Sequence, residues 1–235
     1  MKKLTTIFEN KCIEVYKNCN TTNYIEDEFV AIIQIKKNGK NFEFEFEKNI
    51  IYNNKGKRDS QTVKYIENEK LEIIAIILES PHRDEYDNGK NPLGPAIGQT
   101  GKNISNYLIN IFNNCNEVKD ALLASKNTKF KILLIEAVSY QCSNGAKNID
   151  KVNRDKLFTL VWENGGLDDF RVRLRKHNPI IVINSATGGI KNIDKNDCIN
   201  GKIQKILYEF GFEIFHTPHP SSSWFWRKGL IKSSK

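Results

Sequence analysis

Two side chains in this sequence have the type and placement to break a polarised bond. Glu79 follows the apolar run of residues 71–78, and His219 lies in His219-Pro220-Ser221. A carboxylate at the mouth of a buried strand is costly unless it is paired or used. It can hold a water as a general base or face a developing cation. The competing reading is a carboxylate that tethers a loop or a helix N-terminus. A neutral imidazole can donate to an anionic leaving group. The flanking proline restrains the backbone and the following serines can cap a helix, so a structural loop histidine competes here too. His216 stands three residues before His219, but no third ligand is in view and no metal is expected. The glycine-punctuated stretch 94–101 offers backbone amides for a phosphate or a base edge, or is simply a tight loop. Trp224, Phe225, Trp226, Arg227 and Lys228 interleave aromatics with cations. That pattern suits stacking on bases beside phosphate contacts, unless the tryptophans are core.

Strands and helices must position these groups. Residues 71–78 form an apolar run of strand length with one Glu, 130–138 and 179–184 repeat the signal, and 212–215 repeats it weakly. Helical periodicity lies between them, over 103–112, 118–124, 167–175 and 203–210. The alternation predicts a parallel sheet with helices on both faces, whose ligands sit beyond the C-terminal strand ends. The segments that matter are therefore Glu79-Ser80-Pro81-His82, Ser139-Tyr140-Gln141, Ser185-Ala186-Thr187 and His216-Thr217-Pro218-His219-Pro220. The expected fold is a three-layer α/β/α sandwich with a central, mainly parallel four-stranded sheet, plus an N-terminal helix and β-hairpin extension. Residues 1–20 carry a helical stripe of Leu4, Ile7, Phe8, Cys12, Val15 and Tyr16. Residues 29–35 pair with a strand in which Phe42, Phe44 and Phe46 alternate with Glu43, Glu45 and Glu47, around a type I′ turn at Asn38-Gly39. That phenylalanine face needs a covering surface, most simply the core. Residues 52–70 read as polar loop. The division is a 1–70 extension and a 71–235 catalytic domain.

Lys and Arg total 36 against 28 Asp and Glu, a net charge of +8. This favours a polyanionic partner, although Lys- and Asn-rich composition yields the same excess without one. No apolar run is long enough to span a bilayer, and the first residues lack the apolar stretch of a signal peptide. A cytoplasmic monomer is expected, with no membrane and no obligate protein partner. Five cysteines, Cys12, Cys19, Cys115, Cys142 and Cys198, lie far apart with no two-residue spacing. They read as free thiols, not zinc or iron–sulfur ligands.

Five short motifs fall in order after the expected strands. They are Leu78-Glu79-Ser80-Pro81-His82-Arg83-Asp84-Glu85, Pro95-Ala96-Ile97-Gly98-Gln99-Thr100-Gly101, Ile135-Glu136-Ala137-Val138-Ser139, Asn184-Ser185-Ala186-Thr187 and His219-Pro220-Ser221. Together they resemble the uracil-DNA glycosylase superfamily over residues 71–228, most closely its Gly-Glu-Ala-Pro-Gly branch. The resemblance implies a monofunctional DNA glycosylase that hydrolyses the N-glycosidic bond of a flipped-out base and leaves an abasic site, with no cofactor. It gives Glu79 the water-activating or cation-stabilising role and His219 the stabilisation of the departing base. It puts Ser80, Pro81, His82, Asp84, Ala96, Ile97, Gly98, Glu136 and Ser139 around the base. It puts Gln99, Lys102, Ser185, Ser221, Ser222, Ser223, Trp224, Arg227 and Lys228 on single- or double-stranded DNA. The chemistry agrees, since bond breaking builds positive charge on the sugar and negative charge on the base.

The departures from the branch are informative. Its cluster-binding cysteines are missing. Ala96 replaces the Phe that stacks on the base, which enlarges the pocket. Glu136 replaces the Asn that reads uracil; an ionised Glu only accepts hydrogen bonds and suits an amino group better than uracil O4. The region of Ser223, Trp224 and Phe225 replaces the wedge Leu. The expected substrate is therefore a modified or amino-bearing base, such as modified cytosine in phage DNA, in a defence role. The alternatives are a repair enzyme for uracil and a catalytically silent DNA- or protein-binding module. A hydrolase of free nucleotides is a further rival, which weak salt dependence of turnover would favour.

Overall fold

The computed structural model describes residues 23–39, 41–52, 58–88, 90–142, 150–188, 198–222 and 225–233. The helix expected over residues 1–20, together with Ser223 and Trp224, lies outside the described residues. The first elements are β1 (Glu28–Asn38), β2 (Asn41–Asn49), α1 (Ser60–Asn68), β3 (Glu72–Leu78), β4 (Tyr86–Asp87), β5 (Asn91–Pro92), α2 (Gln99–Asn113) and α3 (Asn116–Ala124). Next come β6 (Lys129–Glu136), α4 (Asp150–Val161), α5 (Leu167–His177), β7 (Ile181–Asn184), α6 (Ile199–Phe210), β8 (Glu213–His216), α7 (Phe225–Lys228) and β9 (Ile231–Lys232).

The run at 73–78 is apolar throughout because helices cover the sheet on both sides. Ile74, Ile76 and Leu78 join Ile104 and Leu108 of α2 and Leu122 of α3 in one buried cluster. Ala75 and Ile77 join Phe158 of α4, Leu174 of α5 and Leu207 of α6 in the other. Burying a side chain of this size contributes about 1.5–3 kcal/mol. The four expected strands are all present, and β6, β3, β7 and β8 run parallel.

The sheet has seven strands, not four, in the order β2-β1-β6-β3-β7-β8-β9. The hairpin is continuous with it, because β1 pairs antiparallel with β6 and covers what would be an open edge. Val30, Ala31, Ile32 and Ile33 are buried there. Phe44 meets Phe112 of α2 edge-on, with ring centroids 5.8 Å apart, while Phe42 stays 40% exposed. The turn sits one residue later than expected. Asn38 pairs with Asn41, which leaves Gly39 (φ +60°) as the first residue between the strands. Nor is 52–70 all loop, since it contains α1, capped by Asp59 accepting from the Thr62 amide at 2.8 Å. Ile66 is its buried residue, too thin an apolar stripe to read from sequence. Among the described residues no helix is long and apolar enough to cross a membrane.

Arg58 ties the hairpin to the glycine-rich loop. Its side chain is inaccessible and pairs with Glu28 at 2.5 Å. Its guanidinium also donates to the carbonyls of Ile50 and Pro95, each at 2.9 Å. Removing one partner of a buried ion pair strands the other and costs about 3–5 kcal/mol. Urea denaturation of Arg58→Met should show a loss of that order; a loss below about 1 kcal/mol would place Arg58 among weak surface pairs.

Candidate active site

The chain leaves β3 for β6 on one side and later returns to β7 on the other. The crevice between the ends of β3 and β7 is therefore a topological switch point. Glu79 is the first residue beyond β3 and is only 5% exposed. The turn after β7 approaches it from one side. The Ser185 amide donates to the Ile77 carbonyl at 2.9 Å, continuing the sheet. Buried Asn184 accepts from the Ala186 amide at 3.2 Å and donates to Gln204 of α6 at 3.1 Å. Held this way, Thr187 donates its hydroxyl to Glu79 Oε2. Arg154 of α4 approaches from the other side, with Nε 3.0 Å from Glu79 Oε1. Asp155 steadies that guanidinium, accepting from Nη2 at 2.6 Å.

His219 reaches the same crevice from the loop after β8. Asn103 of α2 donates to the Pro220 carbonyl at 2.6 Å, and the Ser222 amide donates to the His219 carbonyl at 2.8 Å. The Ser221 amide donates to His219 Nδ1 at 3.2 Å. Nδ1 thus acts as an acceptor, which assigns the ring proton to Nε2. A cavity of about 350 Å3 contains Glu79, Ser80, His82, Asp84 and Glu85 on one wall and His219 and Ser221 on another. Gly98, Gln99 and Thr100, at the start of α2, complete it with Arg154 and Thr187. Gly101 is required just behind, because a Cβ there would lie 1.8 Å from the Ala96 carbonyl oxygen.

Burial dominates the electrostatics. It pushes Glu79 above the usual carboxylate range, while Arg154 and the Thr187 hydroxyl pull it back and Asp155 pushes it up. Burial raises Glu85 to about 8, against hydrogen bonds from the Ala96 and His82 amides. Glu136 is driven well up by burial, then by Glu85 and Glu79. Burial lowers His219 to about 4, helped by the positive charge of Arg154 and by His82. The site therefore holds a neutral imidazole at neutral pH.

Glu79, Ser80, His82, Asp84, Gly98, Gln99, His219 and Ser221 come together as the sequence predicts. Other expected base contacts do not line this cavity. Ala96 is fully buried in the α2-side cluster, so its small size packs the core and widens no pocket. Pro81 and Ile97 are buried too. Glu136 is 2% exposed, on the sheet face of Leu78 and α2. It is absent from the wall of this cavity, so the base preference drawn from it has no contact to act through here. Ser139 lines a separate cavity of about 670 Å3 beside Tyr24, Tyr140 and Arg173. Ser185 is 0% exposed and faces no nucleic acid. Lys102, Arg227 and Lys228 are exposed and Ser222 is half-buried. Phe225 is core, at 2% exposure. Thr187, Thr100 and Glu85 stand in the sequence motifs without an assigned role, and Arg154 lies outside all of them. Among the described residues, no three His, Cys, Asp or Glu side chains are grouped to hold a metal ion.

Comparison of the chain with protein-family models, with curated proteins and with solved structures returned no match.

A histidine lowered to about 4 binds its proton later than in the unfolded chain, where the usual value is 6.5. Between those values the unfolded state holds more protons, so stability falls as pH drops through the window. NMR titration should give His219 a midpoint near 4, and His219→Gln should flatten that part of the stability profile. A midpoint near 6.5 would mean that the imidazole is solvated.

Proposed function

We propose that this chain is a monofunctional DNA glycosylase that releases a modified or amino-bearing base, such as modified cytosine in phage DNA. The observation that carries the reading is that Glu79 and neutral His219 face one cavity at the switch point of the sheet. The two groups match the two charges of N-glycosidic cleavage. As the bond breaks, its electron pair leaves with the base and positive charge grows on the sugar. Glu79 opposes that cation and accepts a proton from the attacking water, whose oxygen bonds to the anomeric carbon. His219 Nε2–H donates to the anionic base. Flipping the base costs a few kcal/mol, and cationic contacts to the flanking phosphates offset it. Lys102, Arg227 and Lys228 are exposed cations of this kind.

The base preference now rests on the cavity wall, not on Glu136 or Ala96. Ser80 Oγ is buried with no hydrogen-bond partner among the described residues, and it lies in the cavity. It is available to a base edge. Asp84 adds an acceptor that suits an amino group. The Ser80 hydroxyl can donate as well as accept and so also suits uracil, which makes uracil-containing DNA part of the same assay.

Glu79→Gln keeps the shape and removes the base. It should lower base release by at least about 10²-fold while leaving DNA affinity intact and steeply salt-dependent. Unchanged release by the variant would remove Glu79 from the chemistry, and salt-insensitive turnover of a free nucleoside would turn the reading toward small-molecule hydrolysis.

A further inference from the structure

Arg154 has no counterpart among the motifs that point to a glycosylase, yet it touches the central carboxyl group. Its side chain is 14% exposed and Glu79's is 6%, so the 3.0 Å contact is largely shielded from water. Asp155 accepts along the same guanidinium edge, from Nε at 2.8 Å and from Nη2 at 2.6 Å. The same guanidinium shares the cavity with His219. Resting on the glycosylase reading, we propose that Arg154 is the positioning residue of this site: it ties Glu79 across the crevice and holds Glu79 and His219 in the charge states that base release needs.

The argument follows from geometry and sign. Glu79 has its two oxygens on two different walls, α4 through Arg154 and the β7 turn through Thr187. Removing Arg154 leaves the Thr187 hydroxyl as a neutral partner. The acidic groups around Glu79 then oppose its ionisation. Asp155 stands on α4, and Glu136, at the end of β6, couples to Glu79. Asp84 and Glu85 follow it on its own loop, and His82 and His219 complete the cavity. Arg154 also repels a proton from His219, as His82 does. One cation thus favours an ionised acceptor and a neutral donor together. Both effects act in the same direction, keeping the site competent to lower pH.

The test compares wild type, Arg154→Met and Arg154→Lys for base release from acid to alkaline pH. The Met variant should have its acid limb displaced upward by about 1–3 pH units, with at least about a tenfold loss at neutral pH that recovers at alkaline pH. The Lys variant should keep a limb near that of wild type. A purely structural ion pair gives no alkaline recovery, and a Met variant equally impaired at every pH overturns the proposal. Asp155→Asn removes a neighbouring negative charge while keeping Arg154, so its limb should move downward; an upward shift or none contradicts the assignment. Titration of His219 by NMR in the Met variant separates this proposal from the glycosylase reading. Its midpoint should rise even if no DNA yields a free base, and an unmoved midpoint sinks the role of Arg154 alone.

Discussion

The site depends on how a nearly buried carboxyl group is kept at the end of β3. An isolated carboxylate at 5% exposure is strongly disfavoured, so Glu79 persists only with partners in place. Those partners come from separate parts of the chain. Arg154 belongs to a helix after β6, and Thr187 to the turn after β7. One carboxyl group therefore fastens together three segments that the sheet only brings near one another. His219 is set by a different route, through α2 and its own loop backbone. The two reacting groups are held by independent supports, and each can be disturbed without displacing the other.

The cavity region is acidic at depth, with Glu79, Glu85 and Glu136 close enough to influence one another. Three buried carboxylates cannot all ionise cheaply. Their environments sort them into roles. Glu85 accepts from the Ala96 amide at 2.8 Å and the His82 amide at 3.1 Å, and so braces the loops around the cavity. Glu136 Oε2 is buried without a hydrogen-bond partner among the described residues, and the charge of Arg173 pulls that carboxyl only partly back. Of the three, Glu79 is the one placed against a guanidinium within the cavity. That guanidinium is the strongest influence drawing Glu79 back toward its charged form.

The parallel core was legible in the sequence because a strand buried on both faces has no polar face to disguise it. Placing Glu79 and His219 followed directly, since each stands just past such a strand. Glu136 and Ser185 were misread for a physical reason. Glu136 continues the face of Ile132 and Leu134, so it points into the helix layer instead of the crevice. Ser185 still bonds as part of the sheet edge. Ala96 stands where the resemblance has a base-stacking Phe, but its carbonyl and methyl pack against α2. Arg154 left no signal at all. It lies in a helix with alternating charges, Asp150, Lys151, Arg154, Asp155 and Lys156, which reads as an ordinary solvated face. Its partner is 75 positions away, and only the closed crossover reveals the pair.

The central claim is that Glu79 and His219 release a base from DNA. The most direct measurement is a strand-scission assay on duplexes carrying many different bases, including genomic DNA from phages with modified cytosine. After incubation with the protein, alkali cuts at every abasic site and the freed base is identified by mass. The account predicts scission, with the modified or amino-bearing base in the released fraction. An intact panel, with the protein bound to the DNA, would contradict it and leave a binding module on the same sheet.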